Sequence, residues 1–458
     1  MKVVICGAGQ VGFNIAQYLS AQGNDVTVVD QSSELLGRIS EQMDVRTIVG
    51  HAAYPDILET AGVNDADMLI AVTMIDEVNM TACQVAHALF GVPKKIARIR
   101  QQNYLAPAWR DLFTSGNIAI DVIISPEMEV ARTIARRLEI AGAFDSISMA
   151  GDCARVIGVR CTESTPLINT PLRQLTSLFP DLNIMLLAIL RGETVIIPGA
   201  SDQMLPGDDV YFVVSREHIA RALAAFGRED RQTRRVVIVG GGNIGVALGR
   251  ELSGSGNGYS LRMIEQSEQR ARMMAAEFAD MSVLCGSGLD RELLEEGNIR
   301  EAETIVAVTD HDETNILSCL LAKRLGAQHA MALVNSPGYG PLISNLGVDV
   351  LISPREITVS GILQHIRRGM IRAVHSLRDG VAEIMEAEIL HTSPLAGMTI
   401  GAAGLPKGML IGMIVRDGGV IIPRSDTQIR EKDRLILIAA ADSVGKVEKM
   451  LAVRPEYF

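Results

Sequence analysis

Two glycine-rich turns contain the residues whose types and spacing suit ligand binding. In the first turn, Gly7, Gly9 and Gly12 form a G-x-G-x-x-G pattern directly after a β-branched run and before a helical stretch. The first glycine permits a tight bend, the second lets the backbone approach a pyrophosphate, and the third allows close helix–strand packing. The amide end of the following helix attracts phosphate through its partial positive charge. The pattern therefore predicts a phosphate-binding turn.

An acidic residue completes this pattern. Asp30 ends the next predicted strand, where its carboxylate can accept hydrogen bonds from the hydroxyl groups of an adenosine ribose. No arginine follows Asp30, so a 2′-phosphate would face a carboxylate without a nearby cation, which favours NAD over NADP. The glycines alone would be weak evidence, whereas strand, helix and acid together predict a dinucleotide site.

The same arrangement occurs a second time in the chain. Gly240, Gly242 and Gly245 repeat the glycine pattern, and Glu265 takes the place of Asp30. Glutamate keeps both acceptor oxygens on a longer side chain, so we expect ribose recognition with an altered reach. The chain thus contains two candidate nucleotide sites.

Further candidate ligand contacts lie where predicted strands end. Thr73 and Thr309 end the fourth strand of each copy, at the carboxyl edge where parallel sheets bind ligands; ordinary strand-end packing is the alternative. Arg98, on the fifth strand, could bind a phosphate or a carboxylate through two hydrogen bonds, with a structural ion pair as its alternative. Its counterpart Leu333 cannot do so. We therefore expect the two sites to differ in affinity or preference.

Acids at a helix start and one histidine have simpler explanations. Both copies carry Asp-Glu-x-Asn, at residues 76–79 and 312–315, where helix capping accounts for the acids without a ligand. His51 lies near the end of the third predicted strand, but Ser287 replaces it in the second copy. Ligand contact or turn packing is the expected role of His51.

The chain contains no recognisable catalytic motif. Hydride transfer needs a general acid or base beside the substrate. None of the seven tyrosines has a lysine four residues later, and no G-x-S-x-G, H-E-x-x-H or G-x-x-x-x-G-K-[ST] occurs. We therefore expect a binding protein and no enzyme, with a cytosolic NAD-dependent oxidoreductase as the alternative.

The elements that position these residues belong to a tandem duplication. Four blocks recur in the same order, at 3–19 and 236–252, 65–86 and 301–322, 121–128 and 349–356, and 195–215 and 420–440. In the first copy, β-branched runs at 3–6, 25–29, 45–49, 68–73 and 95–99 read as strands with helices between them, and 126–140 reads as a helix that follows. This alternation is typical of a doubly wound parallel sheet. The chain is thus α/β, with Rossmann-like domains at 1–124 and 234–352, and with a small α+β domain at 143–227.

Composition argues against membrane and nucleic-acid classes. No apolar run reaches the ~18 residues of a spanning helix, because Arg191 and Glu193 break the longest candidate. The net charge is −11 and no basic stripe occurs, so we expect no nucleic-acid partner. The six cysteines form no C-x-x-C pair, which predicts reduced core thiols in a cytosolic protein and no metal site.

The motifs GAGQVG, VVD, VTMIDEVNM and IARIR, in this duplicated layout, resemble the TrkA family of peripheral regulatory subunits of bacterial Trk potassium uptake systems. Members of that family carry two RCK (KTN) modules in tandem. The resemblance covers about residues 1–453, and it implies that 143–227 and 368–453 are RCK C-terminal subdomains.

The resemblance also implies a function. Proteins of this family bind NAD(H) and adenine nucleotides such as ATP or ADP. They assemble as a homo-oligomeric ring, expected here to be a tetramer, and gate a membrane-embedded Trk potassium channel subunit. We therefore expect a regulatory protein of potassium transport that lies in the cytoplasm, peripheral on the inner face of the cell membrane.

Site residues follow from the resemblance motif by motif. The implied first site comprises Gly7, Ala8, Gly9, Gln10, Val11, Gly12, Asp30, Thr73, Met74 and Arg98. The implied second site comprises Gly240, Gly241, Gly242, Asn243, Ile244, Gly245, Glu265, Thr309 and Asp310. Met74 has no polar side chain, so we expect it to act through its backbone. Leu333 leaves the ligand of the second site open.

Overall fold

The structure is a computed structural model in which the chain forms two compact units. It describes residues 1–114, 116–140, 142–178, 183–192, 194–228, 234–339, 347–366, 371–377 and 381–451. The first unit comprises Met1–Thr133, Val237–Gly256 and Leu261–His365, and the second comprises Ile134–Val236, Asn257–Ser260 and Ile366–Phe458. Each unit therefore contains parts of both copies of the repeat.

The first unit begins with a six-stranded parallel sheet. Its strands are β1 Lys2–Cys6, β2 Asp25–Asp30, β3 Arg46–Val49, β4 Met68–Ala71, β5 Lys94–Arg98 and β6 Val122–Ile124. Helices α1 Gln10–Ala21, α2 Ser33–Gln42, α3 Pro55–Thr60 and α4 Asp76–Ala88 connect them, α5 Pro126–Leu138 follows, and short 3-10 helices occupy Val63–Asp65, Gln102–Leu105 and Pro107–Phe113. The strand order is β3-β2-β1-β4-β5-β6, so the order reverses between β1 and β4. Four of the five residues of β1 and all of β4 are buried, as expected of central strands covered by helices on both faces.

A five-stranded antiparallel sheet follows in the second unit. Its strands are β7 Asp145–Met149, β8 Ala154–Arg160, β9 Ile184–Arg191, β10 Thr194–Ile196 and β11 Asp209–Ser215. It carries helices α6 Leu172–Leu178 and α7 Ile219–Ala225 and a 3-10 helix at Arg216–His218. The strand order is β10-β9-β11-β8-β7.

The second copy repeats both sheets. In the first unit, its parallel strands are β12 Arg235–Val239, β13 Ser260–Glu265, β14 Ser282–Cys285, β15 Thr304–Ala307, β16 His329–Leu333 and β17 Val350–Ile352. Helices α8 Asn243–Gly254, α9 Glu268–Glu277, α10 Arg291–Glu296, α11 Asp312–Leu325 and α12 Pro354–Ile366 accompany them, with 3-10 helices at Ile299–Glu301 and Pro337–Tyr339. The strand order β14-β13-β12-β15-β16-β17 matches that of the first sheet.

The antiparallel sheet of the second copy lies in the second unit. Its strands are β18 Ile371–Leu377, β19 Ala382–Glu388, β20 Met409–Arg416, β21 Gly419–Ile421 and β22 Arg434–Ala440. Helix α13 Ala441–Leu451 and a 3-10 helix at Ile400–Ala402 accompany the sheet. Its order β18-β19-β22-β20-β21 corresponds strand by strand to the other antiparallel sheet. The two antiparallel sheets share one core, to which Leu187, Val213, Met413 and Ile436 contribute.

The predicted fold class is confirmed: two Rossmann-like parallel sheets, each followed in sequence by a small α+β subdomain. Strand β6, which has only three residues, was not predicted from the sequence. The predicted domain boundaries stay a prediction, and those at 368 and 453 lie outside the described residues.

Candidate functional site

The first glycine turn shows which of its glycines the fold itself requires. Gly7 has φ +113°, and a Cβ there would lie 3.0 Å from the Thr73 backbone nitrogen. A Cβ on Gly12 would lie 1.8 Å from the Gly7 carbonyl oxygen, so close packing of helix on turn excludes any side chain. Around the Cβ position of Gly9, in contrast, no atom lies within 4 Å. Internal packing therefore explains why Gly7 and Gly12 are glycines, but it does not explain Gly9, whose Cβ position is open to a ligand.

Helix α1 begins directly after Gly9 with an uncapped amide end. Gly9 is the N-cap residue, no side chain caps the helix, and no acidic residue occupies its first turn. Helix N-termini leave backbone N–H groups without intrahelical partners, and these groups with the helix dipole bind anions. The sheet order places this helix start where the order reverses, which is the usual ligand position in such folds.

Backbone amides orient the carboxylate of Asp30 toward the turn. Asp30 Oδ2 accepts a hydrogen bond from the Ala8 amide at 2.6 Å, and Oδ1 accepts one from the Ser32 amide at 2.8 Å. Each carboxylate oxygen has a second lone pair. Asp30 is therefore fixed in place and still able to accept hydrogen bonds from ribose hydroxyl groups.

The second turn repeats this geometry with one compensated exchange. Gly240 has φ +108°, and a Cβ on Gly245 would lie 1.9 Å from the Gly240 carbonyl oxygen. The longer Glu265 accepts from the Gly241 amide at 2.6 Å. A Cβ on Gly241 would lie 2.9 Å from Glu265 Oε2, so glycine replaces Ala8 where glutamate replaces aspartate.

Thr73 and Thr309 lie beyond the strands that they were expected to end. β4 ends at Ala71, because the Thr73 amide leaves the sheet and donates to Asn79 Oδ1 at 2.9 Å. The hydroxyl of Thr73 donates to the same oxygen, and Asn79 Nδ2 donates to the Arg98 carbonyl. Thr309 and Asn315 repeat this network. A buried asparagine thus joins the ends of the fourth and fifth strands in each copy.

The acids in the first turns of α4 and α11 were expected to cap these helices, but no side-chain hydrogen bond caps either helix. Asp76 Oδ2 accepts hydrogen bonds from the Arg100 and Gln101 amides at 2.9 and 2.8 Å. Asp312 likewise accepts hydrogen bonds from the Asn335 and Ser336 amides. The carboxylates of Asp76 and Asp312 instead hold the loop after the fifth strand.

A cavity of about 640 Å³ in the first unit collects most residues of the predicted first site. The predicted residues that line this cavity are Gly7, Gly9, Gln10, Val11, Asp30, Thr73, Met74, Arg98, Ile244, Thr309 and Asp310. The predicted residues that do not line it are Ala8, Gly12, Gly240, Gly241, Gly242, Asn243, Gly245 and Glu265. The cavity thus combines the first glycine turn with strand ends of the second copy.

Arg98 contributes a guanidinium group to this cavity. Its Nη2 lies 3.9 Å from Met74 Sδ, and its buried Nε has no hydrogen-bond partner among the described residues. Burial lowers the pKa of Arg98, the nearby Arg100 lowers it further, and Glu127 opposes both. Met74 was expected to act through its backbone alone, but its exposed side chain contacts Arg98.

Three charged residues of the cavity wall, Arg100, Glu127 and Arg355, were not predicted from the sequence. Arg100 Nε lies 3.0 Å from Oε1 of the buried Glu127, and Arg355 lies at the start of α12 in the second copy. The aligned blocks 121–128 and 349–356 pair Glu127 with Arg355. This reversal of charge between the two copies is the sequence signal that could have identified Glu127 and Arg355.

Two predictions outside the cavity have clear structural outcomes. The His51 ring stacks on Tyr54, and its Nδ1 accepts from the Ala53 amide, so turn packing explains this residue. Cys6, Cys83, Cys161 and Cys319 are buried and free, as predicted, whereas Cys153 is half-buried and Cys285, on the edge strand β14, is exposed.

The described residues contain neither a membrane-spanning helix nor a metal-binding cluster. None of the helices in those ranges is long and apolar enough to cross a membrane. Within the same ranges, no cluster of histidine, cysteine and acidic residues could hold a metal ion.

Comparison with known proteins places the chain in a family. The TrkA-N domain model matches residues 3–126 and 236–354, and the TrkA-C domain model matches residues 156–227 and 384–452. The chain belongs to the TrkA family. The two TrkA-N matches cover the parallel sheets, and the two TrkA-C matches cover most of the antiparallel ones.

Relatives over the full length bear the same family name. The Trk system potassium uptake protein TrkA of Azorhizobium caulinodans is 48% identical over 458 residues, which is 100% of both chains. The Vibrio alginolyticus protein of that name is 40% identical, with 99% of each chain covered. The Halomonas elongata protein of that name is 39% identical, with 100% of each covered.

Solved structures resemble this TrkA-family chain in fold. The GsuK channel bound to NAD superposes with a TM-score of 0.60 at 17% identity, over 99% of this chain and 79% of that one. The GsuK RCK domain superposes with a TM-score of 0.59 at 17% identity, over 99% and 95%. At this identity the likeness shows the fold alone.

Proposed function

We propose that this TrkA-family chain is a nucleotide-binding regulatory subunit that gates a membrane potassium uptake channel. The observation that carries the proposal is the cavity at the sheet reversal, where Gly9 leaves room for phosphate beside the amide end of α1 and Asp30 is held ready for a ribose. Full-length relatives named for the Trk potassium uptake system support the proposed role. No observation favours the oxidoreductase alternative.

The proposed ligands are NAD(H) and the adenine nucleotides ATP or ADP. An acid without a following arginine suits a ribose with a free 2′-hydroxyl, which favours NAD(H) over its 2′-phosphorylated form. The proposed contacts are the two sets of residues predicted from the sequence, centred on Asp30 and Glu265. The GsuK channel, of similar fold, is described as bound to NAD.

The proposed partners are other copies of this chain and a membrane-embedded Trk channel subunit. A homo-oligomeric ring, a tetramer, would lie on the cytoplasmic face of the cell membrane. The four predicted domains would each be one module of this ring, with boundaries at 1–124, 143–227, 234–352 and 368–453. The names of the full-length relatives support a place in the Trk system.

Nucleotide binding would act on the channel through differential affinity. A ligand shifts an equilibrium between two ring shapes only as far as it binds one shape better, typically by ~1–3 kcal/mol per coupled site. Several such sites in a closed ring add their contributions. The channel gate would then follow the nucleotide that occupies the cavity.

Gly9→Ala tests this proposal because open space surrounds the added Cβ. The fold should tolerate the methyl group, whereas a pyrophosphate approaching this turn should not. In a Gly242→Ala background, which blocks the second turn and which the control shares, we expect the affinity of the full chain for NADH and ATP, measured by calorimetry, to fall at least tenfold. Cells that carry the variant should take up potassium at the same rate as cells that lack the protein.

Gly37→Ala is the matched control. Its Cβ also meets nothing within 4 Å, but Gly37 lies on α2 and does not line the cavity. We expect nucleotide affinity within twofold of the wild type. If the unaltered chain bound neither nucleotide, or if Gly9→Ala bound both as well as Gly37→Ala, the proposal would be wrong.

A further inference from the structure

The interface between the two antiparallel sheets of the second unit contains an ionisable pair as well as an apolar core. Asp145 on β7, in the first copy of the repeat, is buried. Its Oδ2 lies 3.2 Å from Nε2 of His375 on β18, in the second copy. A carboxylate and an imidazole thus meet across the interface between the two copies.

Neither member of this pair has a polar counterpart in the other copy. Ile147 pairs with the third residue of β8, and His375 pairs with the third residue of β19, so these two positions correspond. By the same comparison, Asp145 corresponds to Ala373, since each pairs with the fifth residue of the neighbouring strand. The fold therefore accepts an apolar side chain at either position. A need for charge in the fold does not explain the pair.

The carboxylate of Asp145 is already satisfied without a charged histidine. Its Oδ1 lies 3.2 Å from Arg137 Nε and accepts a hydrogen bond from the Ser146 amide at 3.0 Å. The Tyr211 hydroxyl donates to Oδ2 at 3.0 Å. Because Arg137 balances the charge of Asp145, His375 is free to be neutral or charged in the folded protein.

Other charged side chains lie on the strands of these sheets. Those of β11, β19 and β22 are Asp209, Glu383, Glu386, Glu388 and Arg434. Asp209 forms an ion pair with Arg160, Glu388 with Arg372, and Glu386 with Arg434. These charges thus have partners of opposite sign close to them, and Asp145 is the carboxylate in contact with His375.

Of the four side chains Arg137, Asp145, Tyr211 and His375, only the histidine changes its charge near neutral pH. Burial alone would raise the pKa of Asp145, but Arg137 and His375 hold it well below its usual range. Burial and the adjacent Asp145 raise the pKa of Tyr211 well above its ordinary value of 10.0. The carboxylate therefore stays ionised and the phenol stays neutral, whereas an imidazole titrates between about pH 5 and 8.

We propose that His375 is a proton-binding site that controls how tightly the two antiparallel sheets hold together. In the neutral imidazole, Nε2 carries the hydrogen that faces Asp145, so the added proton binds at Nδ1. The side chain is 29% exposed, which lets solvent supply this proton. The cation then forms an ion pair across the interface, so the contact is strengthened as pH falls and is weakened as pH rises. This input is separate from the nucleotide and does not depend on the proposed function.

The test is hydrogen–deuterium exchange of the full chain without nucleotide at pH 6 and pH 8, with rates corrected for the intrinsic effect of pH. We expect the amides of β7 and β18 to be protected at least about threefold more at pH 6 than at pH 8. His375→Gln should match the wild type at pH 8 and lose the added protection at pH 6. His375→Arg, which is always charged, should retain the added protection at pH 8.

His87→Gln is the matched control. His87 is half-buried as well, but it lies in the last turn of α4 in the first unit, which contains neither antiparallel sheet. The pH difference at β7 and β18 should persist in this variant. Equal protection of the wild type at both pH values, or a pH difference that survives in His375→Gln, would overturn the proposal. It would equally be overturned if His375→Arg were no better protected at pH 8 than His375→Gln.

Discussion

At the scale of single residues, the carboxylate at the end of the second strand of each parallel sheet is held by the glycine turn opposite it. Asp30 reaches the Ala8 amide, and Glu265 reaches the Gly241 amide at the same distance of 2.6 Å. The longer side chain fits only because position 241 has no Cβ. Two positions distant in sequence have therefore changed together.

Gly241→Ala should destabilise the protein, since the new Cβ would lie 2.9 Å from Glu265 Oε2. Overpacking of this kind costs about 1–3 kcal/mol. Adding Glu265→Asp recreates the combination of the first copy and should recover most of the loss in denaturant-induced unfolding. If the double variant were as unstable as the sum of the two single ones, this steric explanation would be incorrect.

At the scale of elements, bulges shape the contact between the two antiparallel sheets. The register of β9 on β11 shifts at Leu187, and that of β20 on β22 shifts at Gly412. A Cβ on Gly412 would lie 2.3 Å from Leu187 Cδ2. At corresponding bulges, the first copy thus has a leucine and the second copy has a glycine without a side chain. This difference lets the two sheets pack closely.

Gly412→Ala and Leu187→Ala should interact in a double-mutant cycle. Gly412→Ala overpacks the contact, at about 1–3 kcal/mol, and Leu187→Ala empties it, at about 2–5 kcal/mol. Together they should cost clearly less than the sum, because the removed side chain makes room for the added methyl group. The measurement is the free energy of unfolding of the full chain.

Leu58→Ala provides the comparison for that cycle. Leu58 is fully buried, but it belongs to the core of the first unit, whereas Gly412 belongs to the second unit. Its effect and that of Gly412→Ala should add within about 0.5 kcal/mol. Strict additivity of the Leu187 and Gly412 variants as well would contradict the proposed complementarity.

At the scale of the whole molecule, the two halves of the duplicated chain meet within each unit. In the second unit, buried Asp145 of the first half lies 3.2 Å from His375 Nε2 of the second half, and 3.2 Å from Arg137 Nε. The Tyr211 hydroxyl donates to the same carboxylate at 3.0 Å. Burial alone would raise the pKa of Asp145, but Arg137 and His375 hold it well below its usual range.

This depressed pKa predicts how stability depends on pH. The carboxylate contributes stability above the unfolded-state pKa of about 4, and the contribution is lost as pH falls below it. Asp145→Asn should therefore cost about 3–5 kcal/mol at pH 7, and its difference from the wild type should shrink below pH ~4. Thermal unfolding at a series of pH values measures this.

An exposed carboxylate is the control for the pH series. Asp65 has a side chain that is 76% exposed, in a surface pair with Lys2. Asp65→Asn should change stability by less than about 1 kcal/mol at every pH. A constant difference between Asp145→Asn and the wild type down to pH 2 would refute the assignment.

The sequence alone determined the fold class, the duplication and the positions of both glycine turns. These features are local: a glycine turn between a β-branched strand and a helix leaves its pattern in consecutive residues, and periodicity identifies the strands around it. Strand ends were less certain, as Thr73 shows, because the bond from its amide to Asn79 depends on a side chain on the next helix.

Only the tertiary structure decided which residues share the cavity. Arg98, Asp310 and Arg355 are far apart in sequence but line the same cavity. The contact between the side chains of Met74 and Arg98 likewise depends on the pairing of β4 with β5. Charges act through space, so a wall shared by two domains leaves no pattern along the chain. The steric fit of Leu187 over Gly412 is equally invisible in one dimension, because packing depends on the distance between atoms and not on their separation in sequence.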